Sequence, residues 1–273
     1  MSTSKISVEA LAGVAETLLP VLYARVYESR HPQAMFNDPV ALAWVERIDY
    51  DFAKYDDAVL TNLGVAIRTE ILDEYVREYI ELHPTATIVN IGAGLDTRFY
   101  RMDNGQITWI ELDLPESIAL RKQLMDETER HYCLAHSALD FAWMNEIPAG
   151  DVLFIIEGLL MYFSEEQVQD LLRALAARFP GGEMLVEVMG VTQAKHTERS
   201  DAIAKTDASF QWGIRDVTLM AAWHSRISYV SDISIYDRYE ARWLATSVKW
   251  KEKPATYRNA VDRIVHLRIA NTP

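Results

Sequence analysis

Thr87-Ile-Val-Asn-Ile-Gly-Ala-Gly94 and, one short helix later, Ile107-Thr-Trp-Ile-Glu-Leu-Asp113 decide the fold of this chain. Ile88, Val89 and Ile91 form the short apolar run of a strand buried on both faces of a parallel sheet. Gly92, Ala93 and Gly94 follow at once, where the backbone must turn sharply and let a ligand approach. A second apolar run, Ile107, Trp109, Ile110 and Leu112, closes on Asp113, 21 residues after Gly92. At that interval a mononucleotide-binding βαβ unit places a carboxylate that accepts hydrogen bonds from ribose hydroxyls.

Position 97 is Thr, so the third glycine of a dinucleotide fingerprint is missing. In a dinucleotide fold that glycine lets the helix pack closely where a pyrophosphate docks. Its absence points to a nucleoside ligand without pyrophosphate, with S-adenosylmethionine (SAM) as the candidate.

Working outward, residues 8–30 read as a helix from Val8, Leu11, Ala15, Leu18 and Leu19, with Pro20 as an interruption. Phe36-Asn-Asp-Pro39 reads as a turn opening a short helix. A long helix is expected over 58–82, striped by Leu63, Ile67, Ile71, Leu72, Val76 and Tyr79 and ended at His83-Pro84. After Asp113, Pro115 and Glu116 suit the first turn of a helix. Further strands are expected at 132–135, 151–156, 184–188, 227–230 and 264–269. Ser164-Glu-Glu-Gln167 matches a capping box, and Pro180-Gly-Gly182 stops the helix it opens.

Alternating strands and helices imply an α/β fold: a doubly wound, mostly parallel, seven-stranded Rossmann-like sheet. One domain is expected, with a helical part at 1–83, a cofactor-binding core at 84–189, a lid insertion at 190–225 and the final strands at 226–273. In such sheets ligands sit beyond the carboxyl ends of the strands. Gly92–Gly94, Asp113, the 136–140 segment and Glu157 all fall at those ends.

Composition narrows the partners. Apolar residues make up 49% and charged residues 25%, an ordinary globular balance. A formal net charge of −13 argues against nucleic acid as substrate. The lone Cys133 excludes an internal disulfide framework and is expected to be a buried strand residue in a reducing compartment. No apolar run approaches the ~20 residues of a membrane helix, and Glu9 and Glu16 break any signal-peptide core. The expectation is a cytoplasmic protein with no membrane partner; oligomeric state is open.

Val89-Asn-Ile-Gly-Ala-Gly-Leu-Asp-Thr-Arg98, Glu111-Leu-Asp-Leu-Pro-Glu116 with Arg121, and Glu157-Gly-Leu-Leu-Met-Tyr162 together resemble the leucine carboxyl methyltransferase superfamily, in its tetracenomycin-type polyketide O-methyltransferase branch. Tyr23-Ala-Arg25, Glu28-Ser29, Asp38-Pro39, Ala66-Ile-Arg-Thr69, Ser137-Ala-Leu-Asp140 and Gln211-Trp-Gly213 extend the likeness over roughly residues 18–240.

The resemblance implies a SAM-dependent O-methyltransferase that releases S-adenosylhomocysteine and uses no metal. It implies that Arg68 binds the carboxylate of SAM's methionine half, as a guanidinium fork can. Gly92, Ala93 and Gly94 would form the turn under the cofactor, and Asp113 would hold the ribose. A capping role before Pro115 is an alternative for Asp113. Asp113 is preferred to Glu111, which is expected to face the other side of the sheet. Ala138 and Leu139 match the segment that frames adenine, and Glu157 matches a cofactor-contacting glutamate, with a capping role as its alternative.

Methyl transfer from a sulfonium is an in-line displacement, served by alignment and exclusion of water. A carboxylate acceptor is ionised at pH 7 and needs no general base; a phenol, pKa ~10, does. The sequence shows no Ser/His/Asp arrangement and no metal-spaced cluster, and only His136 and His224 come into question as bases. The expected acceptor is therefore a small-molecule carboxylate such as a natural-product acid, with Arg215 as the receiving cation and Arg25, Tyr27 and Tyr162 behind it. Trp212 and Trp223 either line an aromatic acceptor's pocket or pack the core. A protein C-terminus as acceptor, and a SAM-binding module without turnover, are the alternatives; a dehydrogenase comes last.

Overall fold

Every residue of the strand Thr87–Ile91 (β1) is buried, and it has a hydrogen-bonded neighbour on each side. Those neighbours are Thr108–Asp113 (β2) and Val152–Ile156 (β4), and β2 in turn pairs His131–Ala135 (β3). Glu183–Val188 (β5) continues the parallel set beside β4. Ile227–Ser234 (β6) and Arg263–Ile269 (β7) close the sheet antiparallel, giving the order β3-β2-β1-β4-β5-β7-β6. The structure, a computed structural model of the chain, describes residues 5–8, 11, 13–206, 208–246 and 262–272. Part of the expected first helix (9, 10 and 12) and residues 247–261 of the last span lie outside the described residues.

Strand alternation sends successive side chains to opposite faces. Val89 and Ile91 of β1, Ile110 and Leu112 of β2, and Phe154 and Ile156 of β4 build one core. The helix Glu165–Arg178 (α6) covers that core through Val168, Leu171, Leu172 and Leu175. Ile88, Trp109, Leu153 and Ile155 build the core of the other face under the helix Val59–Leu82 (α3). The capping box at Ser164 and Gln167 forms as the sequence reading expects. No described helix is long and apolar enough to cross a membrane.

The N-terminal reading needs one correction. Residues Gly13–Thr17 form a 3₁₀ turn, and the α-helix begins only at Leu18 (α1, Leu18–Ser29). Pro20 therefore does not interrupt a helix. It sits in the first turn, where a missing N–H leaves no intrahelical bond unmade. The short helix Pro39–Arg47 (α2) starts as expected, with Asp38 accepting from the Ala41 amide. The later helices are Phe99–Met102 (α4), Pro115–Leu124 (α5), Val191–Ala194 (α7) and Glu240–Ala245 (α8). Cys133 is buried on β3, and burial pushes its thiol up to about 11.

The span from 190 divides in two. Residues 191–206 and 208–210 lie over the amino end of α3, where Asp201 accepts from the amides of Leu60 (3.0 Å) and Thr61 (3.1 Å). The residue flanking that helix, Ala58, supplies no side-chain cap of its own. Beyond it, Trp212, Val217 and Met220 are core residues under the sheet.

Candidate cofactor and acceptor site

Register brings the expected ligand ends into line. Ile91 pairs Leu112 on one side and Ile156 on the other, so Gly92, Asp113 and Glu157 leave the sheet side by side. Gly92 and Gly94 both adopt positive φ, +72° and +48°, a conformation that favours glycine. A Cβ on Gly92 would come within 3.0 Å of Leu159, and one on Gly94 within 3.3 Å of Leu18. The bend is thus cradled between α1 and the segment after β4.

Above this bend is a chamber of about 220 Å³. Gly92–Gly94 and Asp113 form its floor, Ala138 and Phe163 stand at the apolar side, and Arg68 and Glu157 stand at the polar end. Asp113 accepts from the amides of Gly94 (2.6 Å) and Leu114 (2.7 Å), so it ties the glycine bend to the residue before α5. Burial raises its pKa against the pull of those two amides. A carboxylate has about four acceptor sites; beside both amides and the Ser117 hydroxyl, that leaves room for a sugar hydroxyl.

Glu111 and Asp113 are two residues apart, so alternation puts them on the same face and the expectation of opposite faces is wrong. Position separates them instead. Glu111 lies inside the sheet, fully buried, and is bound by Arg121, His131 and Asn90. Asp113 is the last strand residue and reaches the chamber. Arg121, whose guanidinium also donates to the carbonyls of Gly94 (2.9 Å) and Asp96 (2.6 Å), ties the bend to α5.

The polar end rests on a buried ionic lattice. Arg98, fully buried, donates to Asp73 (2.7 Å), Asp96 (2.5 Å) and Glu157 (2.8 Å). Arg101 bridges Asp73 and Asp38, and Arg25 lies 3.8 Å from Asp38 while donating to the Leu95 carbonyl at 2.6 Å. Arg68 donates through Nε to Glu157 (2.8 Å) and through Nη1 to Glu187 (2.9 Å). Burial alone would lower the Arg68 pKa; the Glu187 and Glu157 carboxylates outweigh it and raise it. For Glu157, burial is overcome by Arg98 and Arg68, which hold its pKa low. Across these contacts four guanidinia face five carboxylates. The uncompensated negative charge suits SAM, whose sulfonium and ammonium outnumber its one carboxylate. The residues present therefore fit the cofactor that the sequence implies.

A second chamber, about 310 Å³, adjoins the first. Thr17, Val21, Arg68, Gly158 and Tyr162 bound both, so the two meet at Arg68 and Tyr162. Its apolar wall comes from Met161, Met189, Phe210, Ile235 and Trp243, and its polar wall from Glu187, Gln193, His196, Asp201 and Asp262. The 191–210 segment supplies much of the roof.

The expected site residues separate by place. Arg68, Gly92, Ala93, Gly94, Asp113, Ala138 and Glu157 all bound the first chamber; Leu139 packs beside it against the sheet core. Tyr162 stands at the junction, and Arg25 belongs to the first chamber rather than the second. Tyr27 packs among the residues of α1 and α2, and Arg215 is exposed; neither bounds either chamber. Trp212 and Trp223 pack against each other and the core, 6.3 Å apart. His136 lies near Asp140 and Glu146, and His224 accepts from the Arg226 amide, both away from the chambers. Sequence reading missed Glu187, Gln193 and Asp262. Glu187 could have been found, because it ends a parallel strand as Glu157 does; the other two carried no sequence signal.

The family model for leucine carboxyl methyltransferase matches residues 19–176. The tetracenomycin polyketide synthesis O-methyltransferase TcmP of Streptomyces glaucescens is 32% identical over 206 residues, 75% of this chain and 76% of that protein. An S-adenosyl-L-methionine-dependent methyltransferase of Gibberella zeae, dpfgK, is 34% identical over 188 residues, 62% of each chain. A solved structure assigned as a methyltransferase, from Thermobifida fusca YX, superposes with a TM-score of 0.61 at 13% identity, covering 90% of this chain and 94% of that one.

Proposed function

The chain belongs to the leucine carboxyl methyltransferase family of SAM-dependent methyltransferases, and from that premise we propose that it methylates an oxygen of a small organic molecule held in the second chamber. The observation that carries this reading is the pair of chambers meeting at Arg68, Gly158 and Tyr162. When bound, SAM supplies an electrophilic methyl group on a sulfonium.

Arg68 and Glu157 hold the methionine half, Asp113 the ribose and Ala138 the adenine. Asp113, pinned by two backbone amides, keeps its remaining lone pairs fixed in direction, which is the preorganisation that favours alignment. Residues of α1 and the 191–210 segment screen the junction from water. A chamber of this size, with one apolar and one polar wall, suits a small molecule better than a folded protein's terminus.

On the acceptor, the chamber wall bears Glu187, Asp201 and Asp262 against the single guanidinium of Arg68, which already meets two carboxylates. Burial raises the pKa of Glu187 and of Asp262, which weakens the repulsion a carboxylate acceptor would meet there. Ester formation on a carboxylate is the first form of this reading, as the family's name suggests, and ether formation on a hydroxyl the second; the tetracenomycin-pathway relative is named only as an O-methyltransferase.

The test is incubation with labelled SAM and a panel of small aromatic and aliphatic alcohols, phenols and acids. Base-stable labelled ethers or base-labile labelled esters each support oxygen transfer and separate the two forms. Binding of S-adenosylhomocysteine with no label on any acceptor would favour a binding module without turnover.

A further inference from the structure

The face that α3 turns to the second chamber is made by Leu60, Thr61, Gly64, Val65 and Arg68. Steps of three and four residues are those of one helical face. Gly64 stands at its centre, one turn before Arg68 and so about 6 Å along the axis from the junction of the two chambers.

Glycine is a poor choice inside a helix, because it loses the most backbone freedom on folding. Two needs ordinarily retain it there, and Gly64 shows neither. Its φ is not positive, so the backbone asks for nothing that alanine lacks. Nor does packing forbid a side chain. A Cβ would find Ile235 Cδ1 at 3.5 Å and Trp243 Cη2 at 3.8 Å, both ordinary contact distances. At Gly92, by contrast, a Cβ would come within 3.0 Å of Leu159. What remains is the space itself. Gly64, Ile235 and Trp243 all bound the second chamber, so a methyl group there would occupy room now open to a ligand. The surroundings are apolar: Ile235 and Trp243 are buried across from the glycine, and Val65 follows it in the helix.

We propose that Gly64 is a specificity-determining residue, whose missing side chain admits a bulky apolar body of the acceptor one helical turn from the group that takes the methyl. This rests on the reading of the second chamber as the acceptor's, and it holds whether that group is a carboxylate or a hydroxyl. The oxygen to be methylated lies at the junction beside Arg68 and Tyr162, and the rest of the molecule runs along α3 across Gly64 toward Leu60 and Thr61. Gly64 and Ile235 together set the width of this passage. A methyl added on one side narrows it, and a methyl removed from the other restores it. Neither residue bounds the first chamber.

The experiment uses the full chain as wild type, Gly64→Ala, Ile235→Val and the double variant. Protein saturated with S-adenosylhomocysteine is titrated calorimetrically with benzoate and 2-naphthoate, which share a carboxylate and differ by a fused ring. Wild type is expected to bind naphthoate more tightly. Gly64→Ala should lower the naphthoate-to-benzoate affinity ratio by about tenfold or more, the scale of one methyl group in an apolar pocket. It should also raise Tm by about 1–4 °C, as alanine for glycine does in a helix, with S-adenosylhomocysteine affinity unchanged. Adding Ile235→Val to Gly64→Ala should recover most of the ratio.

A ratio unchanged in Gly64→Ala, or lowered there and not recovered in the double variant, overturns this proposal. So does tighter binding of benzoate than naphthoate by wild type, and so does a fall in Tm, which would make Gly64 a packing residue. In each of these cases binding of an acid to the saturated protein leaves the acceptor-chamber reading standing. Binding of neither acid to a chain that holds S-adenosylhomocysteine overturns both.

Discussion

The two chambers share a wall yet differ in which buried groups go unpaired. Around the first, each carboxylate of the lattice meets a guanidinium or a backbone amide: Asp113 has two amides, Asp96 and Glu157 have Arg98, and Asp38 has Arg101; the atoms left over there are donors, Nε of Arg25 and of Arg121. Around the second, Asp262 Oδ1, Gln193 Oε1 and the indole Nε1 of Trp243 are buried without partners. A completed network fixes one geometry and is expensive to disturb, since breaking it strands a buried charge. An incomplete one leaves hydrogen-bonding capacity for a ligand to fill. On the reading proposed above, the first chamber holds the cofactor and the second the acceptor.

Arg98→Ala attacks the completed network at its centre and should produce the largest effect. It strands Asp73, Asp96 and Glu157 together, and unfolding in urea should show a loss of about 3–5 kcal/mol. A loss below ~1 kcal/mol would mean that the lattice is not the rigid support described here.

Asp262 probes the unpaired groups of the second chamber through pH. Its folded pKa of about 7 lies above the ordinary carboxylate value near ~3.9. Between those values the folded state binds more protons than the unfolded state, so stability falls as pH rises from about 4 through 7. Asp262→Asn removes that penalty. Relative to wild type it should gain a few kcal/mol, on the order of 2–4, at pH 8, and nothing below pH 4. The check is thermal or urea unfolding at both pH values; equal stability changes at both would sink it.

Effects on ligand binding are smaller. Arg68→Gln should weaken S-adenosylhomocysteine binding by about 1.5–3 kcal/mol, the scale of a hydrogen bond to a charged group. Asp113→Asn should weaken it by about 1–2 kcal/mol on the same scale, since the amide keeps one acceptor oxygen. Calorimetry at one temperature measures both, and unaltered affinity in both variants removes the cofactor-site assignment. The smallest change is expected at Asp201→Ala, which takes away the external cap of α3. It should cost about 1 kcal/mol of stability and speed proteolysis within 191–210, with cofactor affinity held constant.

The buried parallel strands and the glycine bend after the first of them were open to sequence reading because both rest on local rules. The apolar runs 87–91, 108–112 and 152–156 can be stable only as buried strands, and two glycines at positive φ can follow β1 only where a side chain would collide. A carboxylate at the end of the next strand then falls beside that bend, whatever the rest of the chain does. Pro20 misled because a proline reads alike inside a helix and in its first turn, and only the helix start tells the two apart. Arg215 misled for a different reason: its neighbours are core residues, but its own side chain faces outward.

What tertiary structure alone decided is the second chamber. Glu187 ends a parallel strand, but Asp262 precedes a strand, and a residue there normally lies at the edge away from the ligand. β7 runs antiparallel to β5, with Arg263 opposite Val188, so its beginning lies at the same edge as the ends of the parallel strands. That reversal brings Asp262 to Gln193, 69 positions earlier in the chain. No periodicity or spacing records such a meeting, because it depends on the direction in which one strand enters the sheet, and pairing between distant segments sets that direction.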